Sequence, residues 1–228
     1  IENLSLIPGE TGAAAVQNIG AYGVEIKDVI ESVEAWNQLT FEKHVFSVDE
    51  CEYAYRYSRF KAEGQDPYIV TYVTLRLSKH PVYKMEYGAL QKQLEQKEIS
   101  LQAIRDCVIS IRQDKLPDPD KLGNAGSFFM NPVITKEHFE RIRSAYPTVP
   151  SYPLEDGKIK VPAGWLIEQC GFKGKRHGDV GVYEKQALVL VNYGGATGDE
   201  IALVAESIRM AVKERFDIDL LPEVKYIA

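Results

Sequence analysis

Cysteine is scarce in this 228-residue chain, and its three copies, Cys51, Cys107 and Cys170, stand far apart with no Cys-x-x-Cys spacing. That argues against a disulfide framework and a cysteine zinc site, and it suits a reducing compartment. The histidines, His44, His80, His138 and His177, show no pairing at metal-binding or catalytic spacing, so no metal is expected. No purely apolar run is longer than Ala187 to Val191, far too short to span a bilayer, and the first residues lack the basic-then-apolar order of a signal peptide. Like charges never gather in a block, and the formal net charge of −6 is spread out, so neither nucleic acid nor a membrane is an expected partner. The default is a cytoplasmic protein acting as a monomer on a small molecule. Missing too are a Gly-x-Gly-x-x-Gly fingerprint and a Gly-x-Ser-x-Gly elbow, which removes support for a Rossmann dinucleotide site and for a serine hydrolase.

What is present is ordinary globular usage, 45% hydrophobic and 26% charged, with room for one large domain or two modest ones. The chain opens on Ile1-Glu2-Asn3-Leu4, which reads as the middle of an ordered element and points to a fragment. Residues 5 to 24 are dense in glycine and alanine, leaving little side chain over a backbone against which a ligand can lie. Two strand-like runs follow, about Val29 to Trp36 and Thr40 to Ser47, joined by polar residues around Asn37 as in a hairpin. Ser47 offers a helix cap ahead of Asp49 and Glu50. Tyr68 to Leu77, rich in β-branched and aromatic residues, reads as a strand. Ser100 caps a helix with Leu101, Ile104, Val108 and Ile111 at helical spacing, and the prolines of Lys115-Leu116-Pro117-Asp118-Pro119 end it near a domain boundary.

The second half predicts a strand over about Ser127 to Ile134, a helix from Lys136 to Ala145, a short helix at about Ala163 to Cys170 and a buried strand from Ala187 to Asn192. Thr197 and Glu200 form a capping box for a helix whose stripe is Ile201, Val204, Ile208 and Val212. Leu220 to Ile227 reads as a last strand. The irregular order of strands and helices argues for an α+β fold, and no internal repeat is visible.

Several segments could carry chemistry, each with a plainer alternative. Gly123 to Pro132 sets Ser127 between glycines that permit positive φ and the aromatic pair Phe128 and Phe129, which is either a tight turn or a positioned hydroxyl. Gln17-Asn18-Ile19-Gly20-Ala21-Tyr22-Gly23 bares main-chain N–H groups to phosphate or the polar edge of a flavin, or merely packs closely. Arg56, among Tyr53, Tyr55, Tyr57 and Phe60, suits recognition of a carboxylate, or is a stacked structural arginine. Glu223 by itself reads as a solvated carboxylate. Gln186, at the entrance to an apolar strand, is either an exposed strand end or a ligand contact. Lys173, Lys175, Arg176 and His177 form a basic patch best read as a solvated loop.

Taken together and in order, Ile7-Pro8-Gly9 through Gly20-Ala21-Tyr22-Gly23, Tyr55-Arg56-x-Ser58, Tyr87-Gly88, Lys115-Leu116-Pro117, Gly123 to Pro132, Gly164-Trp165-Leu166-Ile167, Gln186-Ala187-Leu188-Val189 and Pro222-Glu223-Val224 resemble the UDP-N-acetylenolpyruvoylglucosamine reductase family of peptidoglycan precursor synthesis. The resemblance covers nearly the whole chain, and the Tyr87 loop matches the subtype that closes a tyrosine over its substrate. It implies an FAD enzyme in which NADPH reduces the flavin and an enolpyruvyl nucleotide sugar is then reduced. Arg56 would pair with the substrate carboxylate, Ser127 would donate the proton and Glu223 would support the intermediate, as a donor if burial kept it protonated. Tyr87, Lys115, Asn131 and Gln186 match contacts to the nucleotide diphosphate region. Gly12, Ala13, Gln17, Asn18, Gly20, Ala21, Tyr22 and Gly23 match the main-chain wall of the flavin.

The resemblance divides the chain into a remnant of the FAD-binding α+β domain over residues 1–115, a smaller α+β substrate-binding domain over 116–216 and a tail over 217–228 returning Glu223 to the site. Tyr183 and Leu221 depart from residues common in the family. The family's first domain, with its glycine-rich pyrophosphate loop, precedes the segment at Ile1. This chain alone is therefore expected not to retain FAD and to be inactive. Other classes left open are a nucleotide-sugar binding module without a redox role and an unrelated flavin oxidase, which would not depend on Ser127.

Overall fold

The computed structural model describes residues 1–62, 67–95 and 98–227. The chain divides into two compact units, Ile1–Asp114 and Lys115–Ala228, and both mix helix with antiparallel sheet.

In unit 1 the glycine and alanine segment becomes helix α1 (Thr11–Gln17), which ends where Asn18 takes a left-handed conformation with φ 46°. A two-residue hairpin follows, β1 (Gly20–Ala21) and β2 (Val24–Glu25), turning through Tyr22 and Gly23. Both turn residues have positive φ, 50° and 79°, as a type I′ hairpin requires. Strands β3 (Ile30–Asn37), β4 (Lys43–Ser47) and β5 (Tyr68–Leu75) form an antiparallel sheet in the order β4-β3-β5. The parity of the buried residues changes along β3, from Ile30 to Val33 and Ala35, because the register with β5 shifts between Ile30 and Ser32. The polar link is an Asx turn in which the side-chain Oδ1 of Asn37 accepts from the N–H groups of Leu39 and Thr40. Helix α2 (Gly88–Leu94), without a counterpart in the sequence reading, buries Leu90 and Leu94 against Ile104, Val108 and Ile111 of α3 (Leu101–Lys115). The Ser100 hydroxyl accepts from Ala103 N at 3.1 Å, the expected cap.

Unit 2 begins at Lys115 and contains β6 (Gly123–Ser127), β7 (Val133–Ile134), α4 (Lys136–Ala145), β8 (Tyr152–Pro153), β9 (Ile159–Lys160), α5 (Ala163–Gln169), β10 (Arg176–His177), β11 (Val180–Val182), β12 (Val189–Asn192) and α6 (Gly198–Phe216). One sheet runs β10-β11-β12-β6 and a smaller one β7-β9-β8. The Thr197–Glu200 capping box forms, and α6 buries Ala205, Ile208, Val212 and Phe216 against Leu166, Ile167 and Leu190. Among the described residues no helix is long and apolar enough to cross a membrane.

Four expected elements need correction. The strand expected over Ser127 to Ile134 is broken: β6 ends at Ser127, where Gly126 has just turned the backbone at φ 71°, and only Val133 and Ile134, after Pro132, form a strand again, as β7. The strand expected over Leu220 to Ile227 reduces to a single bridge between Phe129 and Pro222, since proline cannot donate to a ladder. Ala187 and Leu188 form a turn before β12. The residues after Ser47 make only a 3-10 turn, Asp49–Cys51, although Ser47 and Glu50 exchange hydrogen bonds as a cap would.

Candidate functional site

In unit 1, Arg56 stands at φ 55°, a backbone conformation unusual for a long side chain. Its guanidinium lies 5.1 Å from the centre of the Tyr55 ring and donates to the Gly20 carbonyl at 2.7 Å. Gly20 leaves room for this arrangement, since a Cβ there would stand 3.0 Å from the Arg56 guanidinium and 3.1 Å from the Val24 carbonyl, close enough that its neighbours would have to give way. Carboxylate recognition and stacking are thus compatible in one residue: the aromatic face and one carbonyl orient the planar fork.

The residues matched to a flavin wall surround the same hairpin. Asn18 is fully buried and its side chain is engaged throughout, donating to Ala54 O and Glu25 Oε2 and accepting from Lys27 N. It can meet a ligand only through main chain. Gln17 closes α1, Gly12 rests against Val70 of β5, and Ala13 is exposed. Ala21 and Gly23 frame the turn, and nothing lies within 4 Å of where a Cβ on Gly23 would stand. Ser58 of the Tyr55-Arg56-x-Ser58 motif is buried and donates to Val16 O at 2.6 Å, which ties the Arg56 turn to α1.

Tyr87, at the N-terminal end of α2, is exposed and meets Tyr22 edge-on with ring centres 5.7 Å apart. A residue matched to substrate and one matched to cofactor are thereby brought together. Burial pushes the Tyr22 phenol upward, opposed by its hydrogen bond and charge attraction with Arg112; burial likewise pulls Arg112 downward, opposed by Tyr22. Asn3 and Arg112 have weaker signals in the sequence. Arg112 falls four residues after Val108 on the apolar stripe of α3, and Asn3 sits beside the core residue Leu4.

In unit 2, Ser127 is the last residue of β6, exposed, and paired in register with Val189. Its successors are fixed by the tail: Met130 N donates to Leu221 O and Glu223 N donates to Phe128 O, both at 2.9 Å, on either side of Pro222. Glu223, half-buried, is therefore held one residue across from Ser127's neighbour, while Val224 packs on the core. Sequence separation hides this pairing, and only the return of the tail creates it.

Asn131 and Gln186 each reach the start of α5. The Asn131 Oδ1 accepts from Ala163 N at 2.9 Å, and the Gln186 Oε1 lies over Gly164, 3.0 Å from where a Cβ would stand. Glycine at 164 is what lets Gln186 reach across. Lys115, exposed, closes α3 at the boundary between the units. Each unit thus gathers part of the expected set: Arg56, Tyr22 and Tyr87 in unit 1; Ser127 with Glu223, and Asn131 with Gln186, in unit 2.

Comparison with known proteins gives a consistent answer. Residues 118–227 match the family model described as UDP-N-acetylenolpyruvoylglucosamine reductase, C-terminal domain. The chain is 58% identical to the UDP-N-acetylenolpyruvoylglucosamine reductase of Porphyromonas gingivalis over 229 aligned residues, all of this chain and 68% of that protein. It is 50% identical to the reductase of the same name from Bacteroides fragilis, over the same shares. The crystal structure of UDP-N-acetylenolpyruvylglucosamine reductase from Thermus caldophilus superposes with a TM-score of 0.65 at 24% identity, covering 98% of this chain and 62% of that one, and shares the fold. The chain belongs to the UDP-N-acetylenolpyruvoylglucosamine reductase family.

Proposed function

We propose that this chain, within a protein of its relatives' length, serves the reduction of the enolpyruvyl ether of UDP-N-acetylglucosamine to UDP-N-acetylmuramate in peptidoglycan precursor synthesis, with FAD as bound cofactor and NADPH as reductant. The α1 and hairpin residues fit a flat ring system: the Gly23 main chain faces open space, Ala13 is exposed and the side chain of Asn18 is turned into the fold. When bound, reduced FAD supplies the hydride for the terminal vinyl carbon and NADPH restores it.

The remaining work falls to the chain. Arg56 pairs with the substrate carboxylate and stabilises the negative charge that develops as the vinyl carbon accepts hydride; a preoriented cation is most effective there because it needs no rearrangement in the transition state. Ser127 then donates its hydroxyl proton to the ether-bearing carbon, completing addition of one hydride and one proton across the double bond. A serine hydroxyl is a weak acid, but an enolate carbon is a strong enough base to take its proton in good geometry. Glu223 supports the same intermediate through its carboxyl group. Tyr87, Lys115, Asn131 and Gln186 hold the nucleotide diphosphate region, Asn131 through its amide nitrogen since its oxygen is bonded to Ala163. Tyr87 acts as the tyrosine that closes over the substrate.

The observation that supports this reading best is the pair of backbone bonds holding the Glu223 tail beside the Phe128–Met130 segment that follows Ser127. Its test is Ser127→Ala in the full-length enzyme. Stopped-flow reduction of FAD by NADPH should keep its rate, while turnover of the enolpyruvyl substrate falls by about 10² or more, the usual contribution of a general acid. Equal loss in both half-reactions would remove the proton-donor role.

A further inference from the structure

Asn3 is a buried polar residue with no part in the chemistry above. It is 1% exposed, in a 3-10 turn whose next residue, Leu4, packs in the core. Its amide nitrogen donates to two carbonyls from distant parts of unit 1, Tyr22 O and Lys84 O, each at 2.8 Å. Both partners are acceptors only, so the NH₂ face alone satisfies them, and both protons are used.

The two carbonyls are not equally secure. Tyr22 lies in a turn closed by the pairing of Gly20 with Glu25 and Ala21 with Val24, and its ring is held by Arg112. Lys84 belongs to residues 76–87, described residues that form neither helix nor strand and run directly into Tyr87. There the side chains of Tyr83 and Met85 pack on the α2–α3 core, while exposed Lys84 between them contributes its carbonyl to Asn3. Removing the donors would therefore loosen the Lys84 side first, and with it the approach to Tyr87 and the contact of Tyr87 with Tyr22.

We propose that Asn3 is a positioning residue: it clamps the strandless approach to Tyr87 onto the Tyr22 turn and so sets the closing tyrosine against the flavin-side hairpin. The inference rests on the functional reading given above for Tyr87.

The test uses Asn3→Ala and Asn3→Asp in the full-length, FAD-loaded enzyme; the second keeps the shape and removes both donors. Expected are a rise of about tenfold in KM for the enolpyruvyl substrate, equivalent to ~1.4 kcal/mol, with FAD reduction by NADPH unchanged. Limited trypsin digestion should cut after Lys84 about tenfold faster than in the parent, by the same conversion, while cutting in the exposed Lys173–Arg176 stretch of unit 2 keeps its rate. Equal acceleration at both places, or loss of fold in both variants, would show that Asn3 merely holds the domain together and would overturn the proposal. So would an unchanged KM, with or without faster cutting at Lys84. A parent enzyme that does not turn over the enolpyruvyl substrate would instead sink the functional reading, and the Lys84 cut would still decide whether the clamp exists.

Discussion

Asn131 combines two roles that one pair of substitutions separates. The sequence associates it with the substrate, whereas in the structure its Oδ1 is the acceptor for Ala163 N at the start of α5. Ala163 is completely buried, so Asn131→Ala leaves a buried N–H without that acceptor, at a cost of about 1–3 kcal/mol. Asn131→Asp keeps an oxygen in the same place and puts a negative charge at a helix N-terminus, an effect of roughly 0.3–1 kcal/mol in its favour. Its stability should therefore equal or exceed the parent's, although it loses the amide N–H that the substrate would need. Trp165 lies within α5 and reports its unfolding by fluorescence; replacing Trp36 of unit 1 by phenylalanine removes the other tryptophan. With a urea slope of about 1–3 kcal/mol per molar, the alanine variant should lower the midpoint of the Trp165 transition by roughly 1 M, and the aspartate variant should not lower it. An alanine variant that unfolds with the parent would show that the bond contributes nothing. An aspartate variant as weak as the alanine one would show that the accepting oxygen is not what stabilises α5. In the full-length enzyme both variants should raise KM for the nucleotide sugar, since both lack the amide donor.

Gly20→Ala should displace Arg56, because its new methyl would meet the guanidinium and the Val24 carbonyl at 3.0 and 3.1 Å. Turnover of the enolpyruvyl substrate by the full-length enzyme should fall more than that of Arg56→Lys lowers it if the hairpin also shifts, and an alanine variant with parental steady-state rates would refute the tight contact. Lys213 bonds Asp217 and Asp219 at 2.9 Å, and its side chain holds the Asp217 carboxyl below its ordinary value of 3.8. A carboxyl lowered in the folded state contributes stability that is present above its unfolded value and is lost as pH falls through the folded one. Lys213→Met should therefore be less stable than the parent by a constant amount from pH 7 to 5, with the difference shrinking below pH 3.8. Thermal melts across that range check it, and a difference that widens on acidification would contradict the assignment.

The elements most legible in the sequence are those fixed by local physics. The Thr197–Glu200 capping box and its apolar stripe gave α6, Ser100 and its stripe gave α3, and Asn37 marked the hairpin between β3 and β4. Local signals mislead where nonlocal contacts decide. Ser127 to Ile134 and Leu220 to Ile227 both have strand-forming residues, but the first follows the turn at Gly126 and carries Pro132, and the second carries Pro222. Between them they form a single bridge, Phe129 to Pro222, and Val133 and Ile134 pair with β9 instead. Helix α2 was hidden because Gly88-Ala89-Leu90 has no capping signal, and its burial of Leu90 and Leu94 depends on α3.

For the site, residue types and their order along the chain determined the family and the names of the candidate groups: Arg56, Ser127 and Glu223 for the reaction, Tyr87, Lys115, Asn131 and Gln186 for the nucleotide. A one-dimensional pattern carries this because motif order survives whatever the backbone does between motifs. Tertiary structure alone decided which groups are neighbours and which atoms remain available. The tail reaches Ser127's segment through two backbone bonds, the Asn131 oxygen and the Asn18 side chain are already engaged in the fold, and Asn3 joins Tyr22 to the approach of Tyr87. Buried donors and acceptors must find partners wherever packing puts them, and those partners are set by the folded chain in three dimensions.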